Sequence, residues 1–164
     1  MTKIWRRAFV VTTPLVLVIV TLVGIPSAAQ PTCTPTRPDS LGPFYEPDAS
    51  ERNKTGQGLV ISGMVRSASD CEPIVGAQIE WWSTNPRGRY DDEHRATQKV
   101  NEQGRYRYET DFPNRYPGRP PHLHVRVTAP GYQALITQIY PRPEQTKLKF
   151  DFVLVLNDKD HPPP

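Results

Sequence analysis

The sequence is poor in several things that would place it quickly. It holds two cysteines, Cys33 and Cys71, and if these pair, no thiolate is left for a zinc finger or an iron–sulfur site. No stretch carries the 3.6-residue apolar period of an amphipathic helix, which argues against bundles and α/β folds. No block of basic residues appears, so nothing offers the electrostatic footing that nucleic-acid binding needs. No internal repeat is visible. Long apolar runs are missing too, except for one at the N-terminus.

That run belongs to MTKIWRRAFVVTTPLVLVIVTLVGIPSAAQ. A basic start, an apolar centre and the small residues Ser27-Ala28-Ala29 make residues 1–29 an expected secretory signal peptide, cut near Ala29. An uncleaved membrane anchor is the alternative, because the run is close to spanning length. Arg6-Arg7 also fits a twin-arginine export signal. Lys3, Arg6 and Arg7 are the only charged residues of this segment, so without it the formal net charge of +3 falls to zero. About 135 residues then remain, enough to bury a core. In an exported chain, Cys33 and Cys71 are expected to form a disulfide.

Residues 30–57 are rich in Pro, Asp, Ser and Thr, without periodicity, and read as an extended arm. Within it, GPFY (42–45) has an aromatic able to dock on the body. After that come punctuated strands: 58–66, 76–83, a weaker one at 95–100, then 104–111, 122–129, 134–140 and 147–156. In the last, Leu148, Phe150, Phe152, Leu154 and Leu156 share one face. Seven short strands separated by turns predict an all-β fold, an antiparallel β-sandwich over 58–156 with a short tail at 157–164.

The chemistry concentrates in NRYPGRPPHLHV (114–125). Alternation along a strand puts His122, His124, Arg126 and Thr128 on one face and Leu123, Val125 and Val127 on the other. Two histidines at i and i+2 are able to bind one metal ion, and imidazole suits zinc, copper, iron and nickel alike. Pro120 and Pro121 stiffen the approach. Tyr116 lies in a turn that is able to fold a phenol back over them, and Tyr90 follows a second Pro/Gly loop in WSTNPRGRYDD (82–92). Tyr106 and Tyr108 compete as phenol donors but read as packing residues on a strand. The residues alone leave open a metal site of unknown metal, or plain structural roles for each side chain.

Taken together, GPFY (42–45), SGMV (62–65), CEPIVGAQIEWWSTNPRGRYDD (71–92), GRYRYET (104–110), RYPGRPPHLHV and APGY…TQIYP (129–141) resemble the intradiol ring-cleavage dioxygenases, non-haem Fe(III) enzymes that split catechols between the hydroxyl-bearing carbons. The resemblance spans about residues 40–156. It implies a β-sandwich, Fe(III) as cofactor, and four metal ligands: Tyr90, Tyr116, His122 and His124. It assigns Arg119 to face the substrate and places Gln138 near the site. It implies that Tyr116 leaves the metal to accept a catechol proton, that Arg119 stabilises the anionic ring, and that a catecholic small molecule and O2 give a muconate-type diacid. Only five residues separate Tyr116 from His122, which implies a shallow, open pocket. The leader resembles the small secreted branch of the family. A transthyretin-like binding module without iron, and another histidine-based metalloenzyme, are the rival readings. No nucleic acid is expected, membrane contact only through the export signal, and an oligomer is compatible with the sequence.

Overall fold

A computed structural model describes residues 32–115 and 117–157. The expected leader, nearly all of the C-terminal tail and Tyr116 lie outside the described residues. The described chain is all-β, with eight strands: β1 (Gly58–Ser67), β2 (Gln78–Thr84), β3 (Tyr90–Lys99), β4 (Arg105–Asp111), β5 (Leu123–Thr128), β6 (Leu135–Ile139), β7 (Lys147–Lys149) and β8 (Phe152–Leu154). One sheet runs β3-β2-β5-β6, all antiparallel. The other is built on β1, with antiparallel β4 on one side and parallel β7 and β8 on the other.

Period-two alternation builds the core between the sheets. Leu59, Ile61 and Val65 of β1, Ile79 and Trp81 of β2, and Leu123, Val125 and Val127 of β5 all point inward and are buried. Trp81 stacks on Tyr108 with centroids 4.5 Å apart and meets Phe152 edge-on. Offset and edge contacts of this kind suit the aromatic quadrupole.

Two strands differ from their expected form. The stretch at 147–156 keeps one register on β1 (Ser62↔Lys149, Val65↔Phe152) but breaks into two strands, parallel rather than antiparallel. The break sits where Asp151 Oδ1 accepts the Met64 N–H in place of a backbone carbonyl and Asp151 Oδ2 pairs with Arg66. The Phe150 carbonyl also lies 1.8 Å from where a Cβ on Gly63 would be, so only glycine fits opposite it. β3 begins at Tyr90, not at 95. Its first half, YDDEH, has poor strand propensity, and side-chain bonds hold it. Asn85 Nδ2 donates to Asp91 Oδ2 at 2.6 Å, and His94 Nδ1 meets Asp91 Oδ1 at 2.7 Å.

The sheet β3-β2-β5-β6 is buried on both faces, because residues 32–57 cross its outer side. A disulfide joins Cys33 to Cys71. From there the arm runs beside β6, where the Asp39 N–H donates to the Ile136 carbonyl and Thr137 Oγ1 to the Arg37 carbonyl. It then crosses the sheet, pairs with β3 at Glu51↔Thr97, and ends against β4 at Lys54↔Glu109. This accounts for the burial of Glu80, Trp82, His122 and His124 on a strand face that alternation alone would leave wet.

Candidate metal centre and active site

The outer face of that sheet carries one cross-strand row: Arg95 on β3, Trp82 on β2, His124 on β5 and Gln138 on β6. His122 stands one turn of the pleat away, at the entry to β5. Its Nδ1 lies 2.7 Å from the Pro120 carbonyl. A carbonyl only accepts, so Nδ1 carries the proton and Nε2 presents a bare lone pair. This is the backbone-oriented histidine common at metal sites.

His124 is held between two surfaces. The Trp82 indole stacks on one side at 5.1 Å and 7°. Gly42 of the arm covers the other, so closely that an added Cβ would sit 2.8 Å from Cε1. Burial, then the closeness of a second imidazole at His122, push the His124 pKa down to about 4, so the ring is neutral at pH 7. Its Nδ1 is buried without a hydrogen bond of acceptable geometry, although the Ser40 carbonyl is near enough to favour a proton there.

The Tyr90 hydroxyl completes a triangle. It is 3.2 Å from His122 Nε2 and 3.1 Å from His124 Nε2, and the two nitrogens are 3.1 Å apart. The phenol has one proton for two nitrogens, and with both rings protonated at Nδ1 the two Nε2 lone pairs face each other in a buried space and repel. A cation removes the conflict. Donor spacings of about 3 Å are those of neighbouring ligands at right angles on an ion with bonds of about 2.1 Å. The residues present therefore fit a metal. Among the described residues no group of three or more His, Cys, Asp or Glu is placed to hold one, so the third donor here is a phenol oxygen. Phenolate is a hard anion, suited to a highly charged ion more than to zinc.

Arg119 and Gln138 flank the triangle. Arg119 Nη2 donates to Gln138 Oε1 at 2.8 Å and to the Tyr140 hydroxyl at 2.9 Å. Gln138 Nε2 donates to the Ser40 carbonyl, and the Tyr140 hydroxyl donates to Asp39 Oδ2 at 3.0 Å. A cleft of about 520 Å3, lined by Arg115, Pro117, Gly118, Arg119 and Pro120, opens beside the guanidinium. That volume falls in the range of small-molecule sites.

The chain is similar to the intradiol ring-cleavage dioxygenase of Aspergillus niger, 29% identical over 161 residues that cover 76% of this chain and 51% of the relative. It is 31% identical over 137 residues to the catechol 1,2-dioxygenase of Candida albicans, covering 61% of this chain and 45% of that one. Among solved structures, the dioxygenase domain of a dioxygenase–carbohydrate-binding fusion from the cellulolytic bacterium Streptomyces sp. SirexAA-E superposes with a TM-score of 0.69 at 28% identity, over 76% of this chain and 100% of that one. Its relatives are intradiol ring-cleavage dioxygenases. No protein-family model matches the chain. The chain spans about half the length of the curated relatives it matches.

Against the intradiol ligand set expected from the sequence, the structure brings Tyr90, His122 and His124 together and sets Arg119 and Gln138 beside them; Tyr116 lies outside the described residues. Tyr106 and Tyr108 are buried in the core on the opposite sheet. Several neighbours of the site had no role assigned from the sequence, although Trp82 and Gly42 lie in the segments 71–92 and 42–45 that carry the resemblance. Trp82 is recognisable only once β2 and β5 are in register. Gly42 and Asp39 sit more than 80 residues before His124, and nothing local links them to it. Gly42 has φ +73°, a conformation that glycine adopts at little cost.

Proposed function

We propose that the protein is an exported, Fe(III)-dependent intradiol dioxygenase that cleaves catecholic rings between the two hydroxyl-bearing carbons. The observation that carries this reading is the closed triangle of Tyr90, His122 and His124. Its two buried imidazole nitrogens and one phenol oxygen converge at 3.1–3.2 Å from one another, the spacing of neighbouring ligands on one ion. Relationship to enzymes named intradiol ring-cleavage dioxygenase and catechol 1,2-dioxygenase supports the same conclusion.

Tyr90, Tyr116, His122 and His124 are the proposed ligands. Ferric iron held by them would supply Lewis acidity, drawing electron density from a chelated catechol and opening the ring to O2. The remaining work falls to the chain. The Pro120 carbonyl selects the tautomer of the neutral His122 ring that leaves Nε2 free to bind. Burial keeps His124 neutral. Trp82 and Gly42 pack on His124 and Phe44 on Tyr90, and the lower local polarity strengthens the electrostatic contacts there. Tyr116 is the proposed acceptor of a catechol proton. Arg119, fixed by Gln138 and Tyr140, offers a preorganised positive charge to the anionic ring, and such groups are typically worth factors of about 10²–10³ in rate. Both atoms of O2 end in the carboxyl groups of a muconate-type diacid, so two electron pairs pass from the ring to oxygen and no external reductant is needed.

Export past residues 1–29, with cleavage near Ala29, is part of the proposal. The Cys33–Cys71 bond supports it, since disulfides persist in oxidising compartments. The deciding experiment combines iron analysis, a visible spectrum and oxygen uptake with catechol, hydroxyquinol and 3,4-dihydroxybenzoate. One ferric ion per chain, a red phenolate-to-iron band and uptake on one or more substrates are expected. Colourless, iron-free protein after reconstitution with ferric salt defeats the reading. Mass analysis of exported protein locates its N-terminus.

A further inference from the structure

Arg95 is a buried guanidinium that the proposed chemistry does not use. Its side chain is 8% exposed, and it heads the row Arg95–Trp82–His124–Gln138 across the sheet. The arm crosses directly over this row, and alternate arm residues meet three of its four members. The Ser40 carbonyl accepts from Gln138 Nε2 at 2.7 Å, Gly42 lies on the His124 ring, and the Phe44 carbonyl accepts from Arg95 Nη1 at 2.5 Å. Arg95 Nη2 also donates to Glu46 at 2.9 Å, two residues further along the arm. Hydrogen bonds thus pin the segment 40–44 at both ends of the row.

Between these pins the arm delivers one ring to the site. Phe44 stacks on Tyr90 with centroids 4.4 Å apart and planes 17° apart. Tyr90 needs such support. It sits at the first residue of β3, after the register shift between Trp82 and Thr84, and its only ladder partner in β2 is Thr84. A second pair, with a buried carboxylate, holds the next residue. The Tyr45 hydroxyl donates to Glu80 Oε1 at 2.9 Å, and Arg126 pairs with Glu80 Oε2. Phe44 is thereby held at its own carbonyl by Arg95 and through Tyr45 by Glu80.

We propose that Arg95 and Phe44 are positioning residues for the Tyr90 phenol: Arg95 clamps the arm by the Phe44 carbonyl, and the Phe44 ring sets the orientation of the Tyr90 ring toward His122 and His124. This rests on the reading of Tyr90 as a metal ligand. Loss of a stacked aromatic pair of this kind corresponds to a change of about two- to tenfold in the equilibrium it supports.

The test uses full-length ferric protein and three variants. Phe44→Leu keeps apolar bulk without the ring. Arg95→Lys keeps the charge but loses the planar guanidinium that donates to the Phe44 carbonyl. Glu46→Gln changes only the exposed partner. The readouts are the position of the visible phenolate band, the rate at which a ferric chelator strips the metal, and Tm. In Phe44→Leu and Arg95→Lys the band shifts and stripping speeds up about two- to tenfold, while Glu46→Gln matches wild type. Folded Phe44→Leu or Arg95→Lys protein with wild-type band and stripping rate overturns the proposal, whatever happens to Tm. Hydrogen exchange in the metal-free proteins keeps the two readings apart. If wild type binds no ferric iron, the dioxygenase reading fails. The positioning role then stands only if Arg95→Lys raises exchange over 40–46 and at the start of β3 but not in β1, and it falls if exchange is unchanged.

Discussion

At the scale of single residues, the three described tyrosines among the phenol donors first considered, Tyr90, Tyr106 and Tyr108, divide by environment. Tyr108 is fully buried, and its hydroxyl lies 2.5 Å from Thr55 Oγ1. Burial, only partly offset by hydrogen bonds from Thr55 and Thr110, pushes its pKa up to about 12, so it does not ionise at working pH. Tyr106 is driven upward in the same way, by burial and then by the charge of Asp151, and donates to the Phe150 carbonyl. Tyr90, by contrast, aims its oxygen at two imidazole nitrogens. Tyr90→Phe is therefore expected to bleach or shift the visible band of ferric protein and to weaken iron retention. Tyr108→Phe should leave the spectrum untouched and cost about 1 kcal/mol of stability for the lost hydrogen bond, measured by urea denaturation. A changed spectrum in Tyr108→Phe would mean the phenols are wrongly divided.

At the scale of elements, the strands were legible and the arm's path was not. Period two is a local signal, so Leu123, Val125 and Val127 separate from His122, His124 and Arg126 on sight. The first half of β3 was hidden because Asp91, Asp92 and Glu93 disfavour strands, and hydrogen bonds from Asn85 and His94 hold it instead. The parallel pairing of β7 and β8 was hidden because alternation fixes which face a side chain takes, never which strand lies beside it. The resemblance to intradiol enzymes supplied what periodicity could not: that a loop ending at Tyr90 and the strand entered at His122 meet. Neither source gave the route of residues 32–57, since the contacts that lay them on the body are made with sequence far downstream. Gly42 is the sharpest test of that route. Gly42→Ala combines a left-handed φ with a methyl placed 2.8 Å from His124 Cε1. It is expected to lift the arm from the histidine, costing about 1–3 kcal/mol and speeding iron loss to a chelator. Gly58→Ala also has positive φ but meets no atom within 4 Å, so it should show the backbone cost without the iron loss.

At the scale of the whole molecule, stability depends on how the arm, the β2–β3 hairpin and the second sheet are tied together, and two ties are open to measurement. His94 is buried between Asp91 and Asp111, with Nδ1 2.7 Å from one and Nε2 3.0 Å from the other, and Asp111 also accepts the Gln57 N–H of the arm. Burial lowers the His94 pKa, but the hydrogen bonds and charges of Asp111 and Asp91 outweigh it, and the net shift is upward from 6.5. A raised folded pKa gives stability that is fully present below about pH 6.5 and is lost as pH rises through the shifted value. His124, lowered to about 4, acts in the opposite sense in metal-free protein, so the informative quantity is wild type minus His94→Gln. That difference in unfolding free energy should shrink between pH 6 and pH 9; a constant or growing difference would refute the assignment. The disulfide is the second tie. Cys33 and Cys71 are 38 residues apart, and a closed loop of that size stabilises by about 3–4 kcal/mol in the chain-entropy model. Cys33 is also the arm's first anchor, ahead of the bonds that lay residues 37–44 over the histidines. The Cys33→Ser/Cys71→Ser double variant, or reduction of wild type, should therefore lower Tm by several degrees and raise hydrogen exchange over 33–46 more than in β1 and β5. Equal protection of the arm with and without the bond would show that the clamps at Gln138 and Arg95 hold it unaided.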